Sequence, residues 1–300
     1  MNKVIIIYGG DSDEYKISEL TAKSIYDHID RDKFSPSLLD LNDFRIDQAD
    51  KDSIVFIAVH GAGGEDGKIQ KILSEKEIIF TGSDQIACEN CWNKIRSKDI
   101  LLQNKLPTPD YVIYSNDTKI SADDSFFKQN DSFFVKPNCN GSSLGITKVT
   151  NIDNLQKAID IASNFSEEVL IEKAYNHSEY TVSILNGEAL EPLRILPDPE
   201  RDFYDYAAKY ESVETKKSEI NDQGLKEELK DIAVKAFASH GCRIWGRVDF
   251  VFDGNNFGIL EINTVPGFTE KSLFPLAAKK SGINYQELIT MIIEGSVKEK

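Results

Sequence analysis

The chain has 300 residues, of which 40% are hydrophobic and 28% charged, and its 50 acidic against 35 basic side chains leave a net charge of -15. That length allows two or three compact domains with a real core, and the acidity excludes general nucleic-acid binding, which needs a basic footprint. A local cationic pocket for an anionic ligand remains compatible with it.

The N-terminus reads MNKVIIIYGGDSDE. Its apolar run is too short for a signal peptide, and no later run approaches a membrane span, so a cytoplasmic protein is expected. KVIIIYGG is a buried strand ending in glycines, followed by Ile17, Leu20, Ile25 and Ile29 at helical spacing. SIVFIAVHG is a second strand. It leads into GAGGEDGKIQKIL, a glycine-rich loop and a helix that Glu65 and Asp66 would cap, and IIFTGS is a further short strand. This succession predicts a parallel α/β unit over about residues 1–86.

Cys88 and Cys91 form a C-x-x-C with no second pair and no histidine near in sequence. They read as reduced helix cysteines rather than a zinc or redox site. FFVKPNCNGSSLGITKV predicts two strands around a small-residue loop, DNLQKAIDIASNF a helix with Leu155, Ile159 and Ala162 on one face, and EEVLIEKAY a strand. A smaller α+β domain is expected over about 87–180. The last third, 181–300, starts from the strands YTVSIL and LEPLRIL. A polar stretch over about 198–224 follows, of the kind that is functional or mobile. Leu225, Leu229, Ile232, Ala236 and Phe237 then predict an amphipathic helix that Gly241 would cap.

RVDFVFDGNNFGILEINTVPG reads as a β-hairpin, two alternating runs around DGNN. Arg247, Asp249 and Val251 share a face of the first run, and Ile259, Glu261 and Asn263 a face of the second. With the loop centred on Asn255, Asp249 lies opposite Glu261. Like charges so placed destabilise a sheet unless something sits between them. Oxygen ligands from Asp, Glu and Asn suit magnesium, with Arg247 beside the metal to stabilise negative charge. A solvated sheet face with an internal salt bridge is the other reading. PNCNGSSLG, with Lys136 before it, offers backbone N–H groups that can cradle phosphate, as an ordinary turn would also display. It is not a Walker A loop, and YGGDSDE is not a dinucleotide fingerprint. His60 stands at a strand end, where open α/β sheets bind ligands.

Together GGDSDE, HGAGGEDGKIQ, NKIRSK, VKPNCNGSSLG, VLIEK, EYTV, FYDYAAKY, WGRVDF and LEINTVPGFTEKSL resemble the D-alanine–D-alanine ligases of the ATP-grasp superfamily. The likeness runs over essentially the whole chain. It implies an ATP-grasp fold of three domains: a Rossmann-like N-terminal substrate-binding domain, a central domain, and a C-terminal catalytic domain whose segment 198–224 is the closing lid. It implies ATP and two Mg²⁺, replaceable by Mn²⁺, and a homodimer through the first domain. Lys94, Lys136 and Lys209 would contact the phosphates, aided by the loop residues Ser142 and Ser143. Glu172 and the following backbone, with Lys173 and Tyr175, would read the adenine edge, Glu179 would hold the ribose, and Phe203, Val251 and Leu260 would pack on the ring. Asp249, Glu261 and Asn263 match the metal ligands.

The resemblance further implies that the γ-phosphate moves to the carboxylate of a first D-alanine, and that a second D-alanine attacks the acyl phosphate. Arg247 and the backbone at Gly267 would stabilise the oxyanion. Glu14, assisted by His60, would bind the first ammonium, and Glu14, Ser142 and Tyr210 would bridge first domain, loop and lid. Ser272 would take the second carboxylate, with Leu273 beside it. Three departures stand out: Cys139 and Asn140 in the phosphate loop, KKSEINDQG without the Pro-Ala pair, and Glu270 and Lys271 beside the second-substrate site. The last two leave one alternative, the same chemistry on another amino acid such as D-serine; a separate alternative is a non-catalytic nucleotide-binding homologue, which should lack a metal ligand or phosphate lysine.

Overall fold

A computed structural model describes residues 2–115, 125–141, 143–196 and 216–299. In chain order the first unit comprises β1 (Asn2–Tyr8), α1 (Tyr15–His28), β2 (Phe34–Asp40), β3 (Ser53–Ile57), α2 (Lys68–Glu75) and β4 (Ile79–Phe80). Its four strands form a parallel sheet ordered β2-β1-β3-β4. The inner strands are covered on both faces, which is why they read as unbroken apolar runs. β2 (FSPSLLD) carries no such run and escaped the sequence reading; it is an edge strand, where Pro36 is tolerated. In α1 the buried face is Ser18, Thr21, Ala22 and Ile25, while Leu20 is 55% exposed. Ser18 can be buried because its hydroxyl donates to Ala58 O (2.6 Å) and accepts from Gly9 N (2.8 Å).

The chain continues through α3 (Gln85–Trp92), α4 (Lys94–Gln103), β5 (Tyr111–Tyr114), α5 (Ser125–Gln129), β6 (Phe133–Pro137), β7 (Thr147–Val149), α6 (Leu155–Ser163) and β8 (Val169–Lys173). The strands form an antiparallel sheet ordered β5-β8-β6-β7. Leu155, Ile159 and Ala162 of α6 pack with Val135, Val169 and Ile171 as a separate core. The last part holds β9 (Ser178–Leu185), β10 (Glu188–Ala189), β11 (Leu193–Leu196), β12 (Lys216–Glu219), α7 (Gln223–Ser239), β13 (Trp245–Phe252), β14 (Phe257–Asn263), α8 (Leu273–Lys280) and α9 (Tyr285–Lys298). Its antiparallel sheet runs β12-β11-β9-β13-β14, with β10 on β9. Gly241 ends α7 as expected: it sits at φ +76°, Gly241 N donates to Ala238 O (3.0 Å), and Cys242 N to Phe237 O (3.1 Å).

The cores cut across the expected domain borders. Residue 87 falls inside α3 and residue 180 inside β9. Cys91 and Leu101 pack with Leu229, Phe237, Val248 and Ile259 under the C-terminal sheet, so α3 and α4 belong to that core. Leu273, Phe274, Leu288 and Ile292 of α8 and α9 join Phe56 and Trp245 in the core of the first unit. Of the segment expected as a lid, 216–219 form β12 and Gln223 begins α7, while 198–215 lie outside the described residues. The neighbour of Cys91 Sγ is Cys242 Sγ at 3.4 Å rather than Cys88, and all four thiols are free. Among the described residues no helix is long and apolar enough to cross a membrane.

Candidate active site

The hairpin pairs Arg247 with Asn263 and Asp249 with Glu261, but then Phe250 with Ile259. Leu260 therefore has no partner, and the strand carries a β-bulge there. This corrects the expectation that Ile259 shares the face of Glu261: Ile259 is buried in the core with Phe250. The bulge has a direct use. Neighbouring residues of a regular strand face opposite ways, yet Leu260 and Glu261 line the same cavity. Ile259 N donates to Pro107 O (2.8 Å) and Thr108 Oγ1 donates to Ile259 O (2.9 Å), which fixes the bulge in place. The turn is set by Asp253, whose Oδ1 accepts from Asn255 N (2.9 Å) and Asn256 N (2.8 Å).

Asp249 is held from four directions. Arg247 Nε and Nη2 donate to its two oxygens (2.8 and 2.7 Å), Asn263 Nδ2 donates to Oδ2 (2.9 Å), and Thr181 Oγ1 donates to Oδ1 (2.6 Å). The bidentate arginine lets Asp249 face Glu261. The oxygens of Asp249, Glu261 and the Asn263 amide form a hard donor set on one face, and that chemistry fits a magnesium ion.

A first cavity of about 170 Å³ lies between the central and C-terminal sheets. Lys94, Lys136, Ser143, Glu172, Lys173, Tyr175, Glu179, Val251 and Leu260 all line it, beside Asp249 and Glu261. Glu172 is held between Lys136 and Lys98, the latter at 2.6 Å. Burial alone would raise its pKa, but the Lys136 and Lys98 charges hold it below the usual carboxylate range. Lys98 also donates to Thr108 Oγ1 (2.7 Å) and Pro109 O (3.1 Å). Sequence reasoning missed Lys98, although it stands four residues from Lys94 on the same helical face in NKIRSK. Lys94 Nζ donates to Asn140 O (2.6 Å), so the loop after β6 fixes that lysine through its backbone. The unexpected side chain at Asn140 leaves that contact intact.

A second cavity of about 500 Å³ adjoins the first. Glu14, His60, Glu65, Arg247, Asn263, Gly267, Ser272 and Leu273 are among its walls. Lys94, Asn140, Gly141 and Glu261 line both cavities and mark their junction. The Glu14 carboxylate is wedged between two glycines: a Cβ on Gly61 would sit 2.7 Å from its Oε2, and one on Gly141 3.0 Å. Glu65 does not cap α2, whose N-cap is Gly67; its Oε1 accepts from Gly61 N (3.0 Å), and burial together with Glu14 pushes its pKa up to about 8. His60 is buried, with Nδ1 2.9 Å from Val265 O and Nε2 2.9 Å from Thr21 Oγ1. A carbonyl only accepts, so Nδ1 carries the proton and Nε2 accepts from the threonine. Burial lowers the His60 pKa to about 4. The ring therefore stays neutral with both nitrogens engaged, tying α1 to the 264–267 segment instead of offering a nitrogen to an ammonium. Ser272 is the N-cap of α8; its Oγ accepts from Thr269 N (3.0 Å). Ser142, Phe203, Lys209 and Tyr210 lie outside the described residues.

Two antiparallel sheets facing each other over a lysine-lined cavity, with facing acids at its inner end, define the chain as an ATP-grasp protein. The sequence profile described as D-ala D-ala ligase C-terminus matches residues 100–294. The D-alanine--D-alanine ligase of Buchnera aphidicola subsp. Schizaphis graminum is 38% identical, covering 97% of this chain and 98% of that one. The crystal structure of D-alanine--D-alanine ligase from Bacillus anthracis superposes with a TM-score of 0.89 at 31% identity, over 100% of this chain and 98% of that chain. The crystal structure of that ligase complexed with ATP gives 0.86 at 28% identity, over the same shares of the two chains. The chain belongs to the D-alanine–D-alanine ligase family.

Proposed function

We propose that the protein joins two D-alanines to D-alanyl-D-alanine at the expense of ATP, for peptidoglycan synthesis. One observation carries the reading: the lysine-lined cavity and the amino-acid cavity meet at Lys94, Gly141 and Glu261, where a γ-phosphate and a substrate carboxylate can touch. ATP lies in the first cavity, with adenine against Val251 and Leu260, its edge read along Glu172, Lys173 and Tyr175, and ribose at Glu179. Lys94 and Lys136 face the phosphates with Ser143; of the residues outside the described ones, Ser142 and Lys209 would join them and Phe203 would pack on the adenine ring. Asp249, Glu261 and Asn263 would hold two magnesium ions, which when bound would neutralise the triphosphate charge.

The first D-alanine places its ammonium at Glu14 and its carboxylate at the junction. A carboxylate oxygen attacks the γ-phosphorus, the bond to ADP breaks, and an acyl phosphate forms. The neutral amine of the second D-alanine attacks the acyl carbon, the C–O bond to phosphate breaks, and the phosphate leaves with the proton that the amine nitrogen gives up. Arg247 and the Gly267 backbone stabilise the oxyanion of that step. Ser272 and the first-turn N–H groups of α8 hold the second carboxylate beside Leu273. The resemblance implies that Tyr210 and Ser142, which lie outside the described residues, would join Glu14 in closing the site, so that water does not hydrolyse the acyl phosphate. Phosphate release measured over a panel of D- and L-amino acids tests this. D-alanine alone should release phosphate in step with dipeptide, and no turnover with D-alanine rejects the reading. We further propose a cytoplasmic homodimer through the first domain; light scattering that gives a monomer mass rejects the dimer.

A further inference from the structure

One lysine in the amino-acid cavity belongs to none of these roles. Lys217 stands on β12, inside KKSEINDQG. Register places it. Val251 pairs with Glu179, Glu179 with Ile195, and Ile195 with Lys217. Directly paired residues share a sheet face, so Lys217 ends the row that faces the site. Val251, Glu179 and Ile195 line the nucleotide cavity, and Lys217, at the sheet edge, lines the amino-acid cavity instead.

The surroundings of Lys217 are cationic. Arg247 and Lys271 line the same cavity, and Lys217 Nζ donates to Lys271 O (2.9 Å). Among the described residues no carboxylate pairs with it; Glu219, two residues along β12, is taken by Lys280. Burial depresses the Lys217 pKa, and Arg247 pushes it the same way. Lys217 is half-buried, and an ammonium partly shielded from water beside another cation is stabilised by an arriving anion.

The cavity is polarised along its length. Glu14, Ile17 and Leu20 line it on successive turns of α1, so it runs beside that helix. Glu14 and Glu65 make its acidic end. The loop carrying Lys271 lies toward the other end, since Glu270 reaches His28 in the last turn of α1 (3.8 Å). Glu14 and Leu20 are about 9 Å apart along the axis, enough for an extended dipeptide of about 7 Å. An acidic start and a basic finish match a zwitterion whose ammonium comes first and whose carboxylate comes last.

We infer that Lys217 is a specificity-determining residue that pairs with the α-carboxylate of the second amino acid, beside Ser272 and the N-terminus of α8. The inference deepens the dipeptide-ligase reading and rests on it. The role requires an anionic terminus on the acceptor and is indifferent to the nucleotide.

The test compares the full-length wild type with Lys217→Met and Lys217→Arg. Phosphate release is followed at saturating ATP against the acceptor amino acid, and separately against ATP. Lys217→Met should raise KM for the second D-alanine about tenfold or more, the loss expected for a charge-assisted hydrogen bond. KM for ATP should stay within about twofold, Lys217→Arg should recover most of the loss, and D-alaninamide, which lacks the carboxylate, should be used equally by wild type and Lys217→Met. An unchanged acceptor KM, or an equal rise in KM for ATP, overturns the inference. Wild type inactive on D-alanine instead rejects the ligase reading; the comparison then runs on whichever acceptor supports turnover, with the same criteria. If Lys217→Met fails to fold by circular dichroism, Lys217→Gln takes its place.

Discussion

Replacing Glu172 by glutamine tests how the nucleotide cavity is held together. The side chain keeps its shape and loses its charge, while Lys98 and Lys136 stay where they are. Their side chains are 3% and 7% exposed and that of Glu172 2%, so none of the three can move into solvent. Removing one partner of a buried ion pair costs about 3–5 kcal/mol, because the remaining charge stays desolvated. Against a typical total stability of about 5–15 kcal/mol, that is a large share. If the whole chain unfolds together, the melting temperature should fall by about 5–8 °C. The assay should be urea unfolding followed by circular dichroism. Trp92 and Trp245, the only two tryptophans, sit in α3 and β13, so their fluorescence would miss separate melting of the β5-β8-β6-β7 sheet. Lys98→Met in the Glu172→Gln background should restore part of the loss, since one unpaired ammonium is gone. A loss below about 1 kcal/mol for Glu172→Gln, with strictly additive double-variant values, would refute the reasoning.

Four further outcomes follow from the geometry. His60 has a folded pKa depressed from 6.5 to about 4, so its contribution is complete above 6.5 and is lost as pH falls toward 4, about 3 kcal/mol in all; His60→Asn should flatten that acid limb in urea midpoints measured from pH 7 to 4. Arg247→Ala should lower dipeptide formation about 10²–10³-fold and, because Asp249 loses its bidentate partner, weaken ATP binding by calorimetry by a smaller factor; equal dipeptide yield excludes the oxyanion role. Asp249→Asn with Glu261→Gln should abolish magnesium-dependent ATP binding, and unchanged affinity removes the metal reading. Gly64→Ala would put a Cβ 2.0 Å from Val59 O, a backbone atom that cannot step aside, so a loss above about 3 kcal/mol is expected in thermal melts.

Much of the fold was legible because the signals were local. The run in β1, the helical face of α6 and the Gly241 cap each follow from a few consecutive residues. Asp249 does face Glu261, but not through a loop centred on Asn255: Phe252 pairs with Phe257, so regular pairing would put Leu260 opposite Asp249, and the bulge restores the expected pair. What failed needed distant partners. β2 escaped because an edge strand has little apolar patterning, and Leu20 misled because helical spacing does not say which face meets the core. Lys98 was invisible as a partner of Glu172 because the two are joined only across the packed sheet.

Sequence alone determined the chemistry at hand: the acids, lysines and glycine-rich loops, their order, and most strands and helices, since these depend on residue type and short-range periodicity. Tertiary packing alone decided which charges are paired, that Leu260 and Glu261 share a face through a bulge pinned by Pro107 and Thr108, that His60 is locked neutral, and that Lys217 lines the second cavity. Those outcomes depend on groups far apart in the chain being desolvated together, and spacing along a sequence does not encode that.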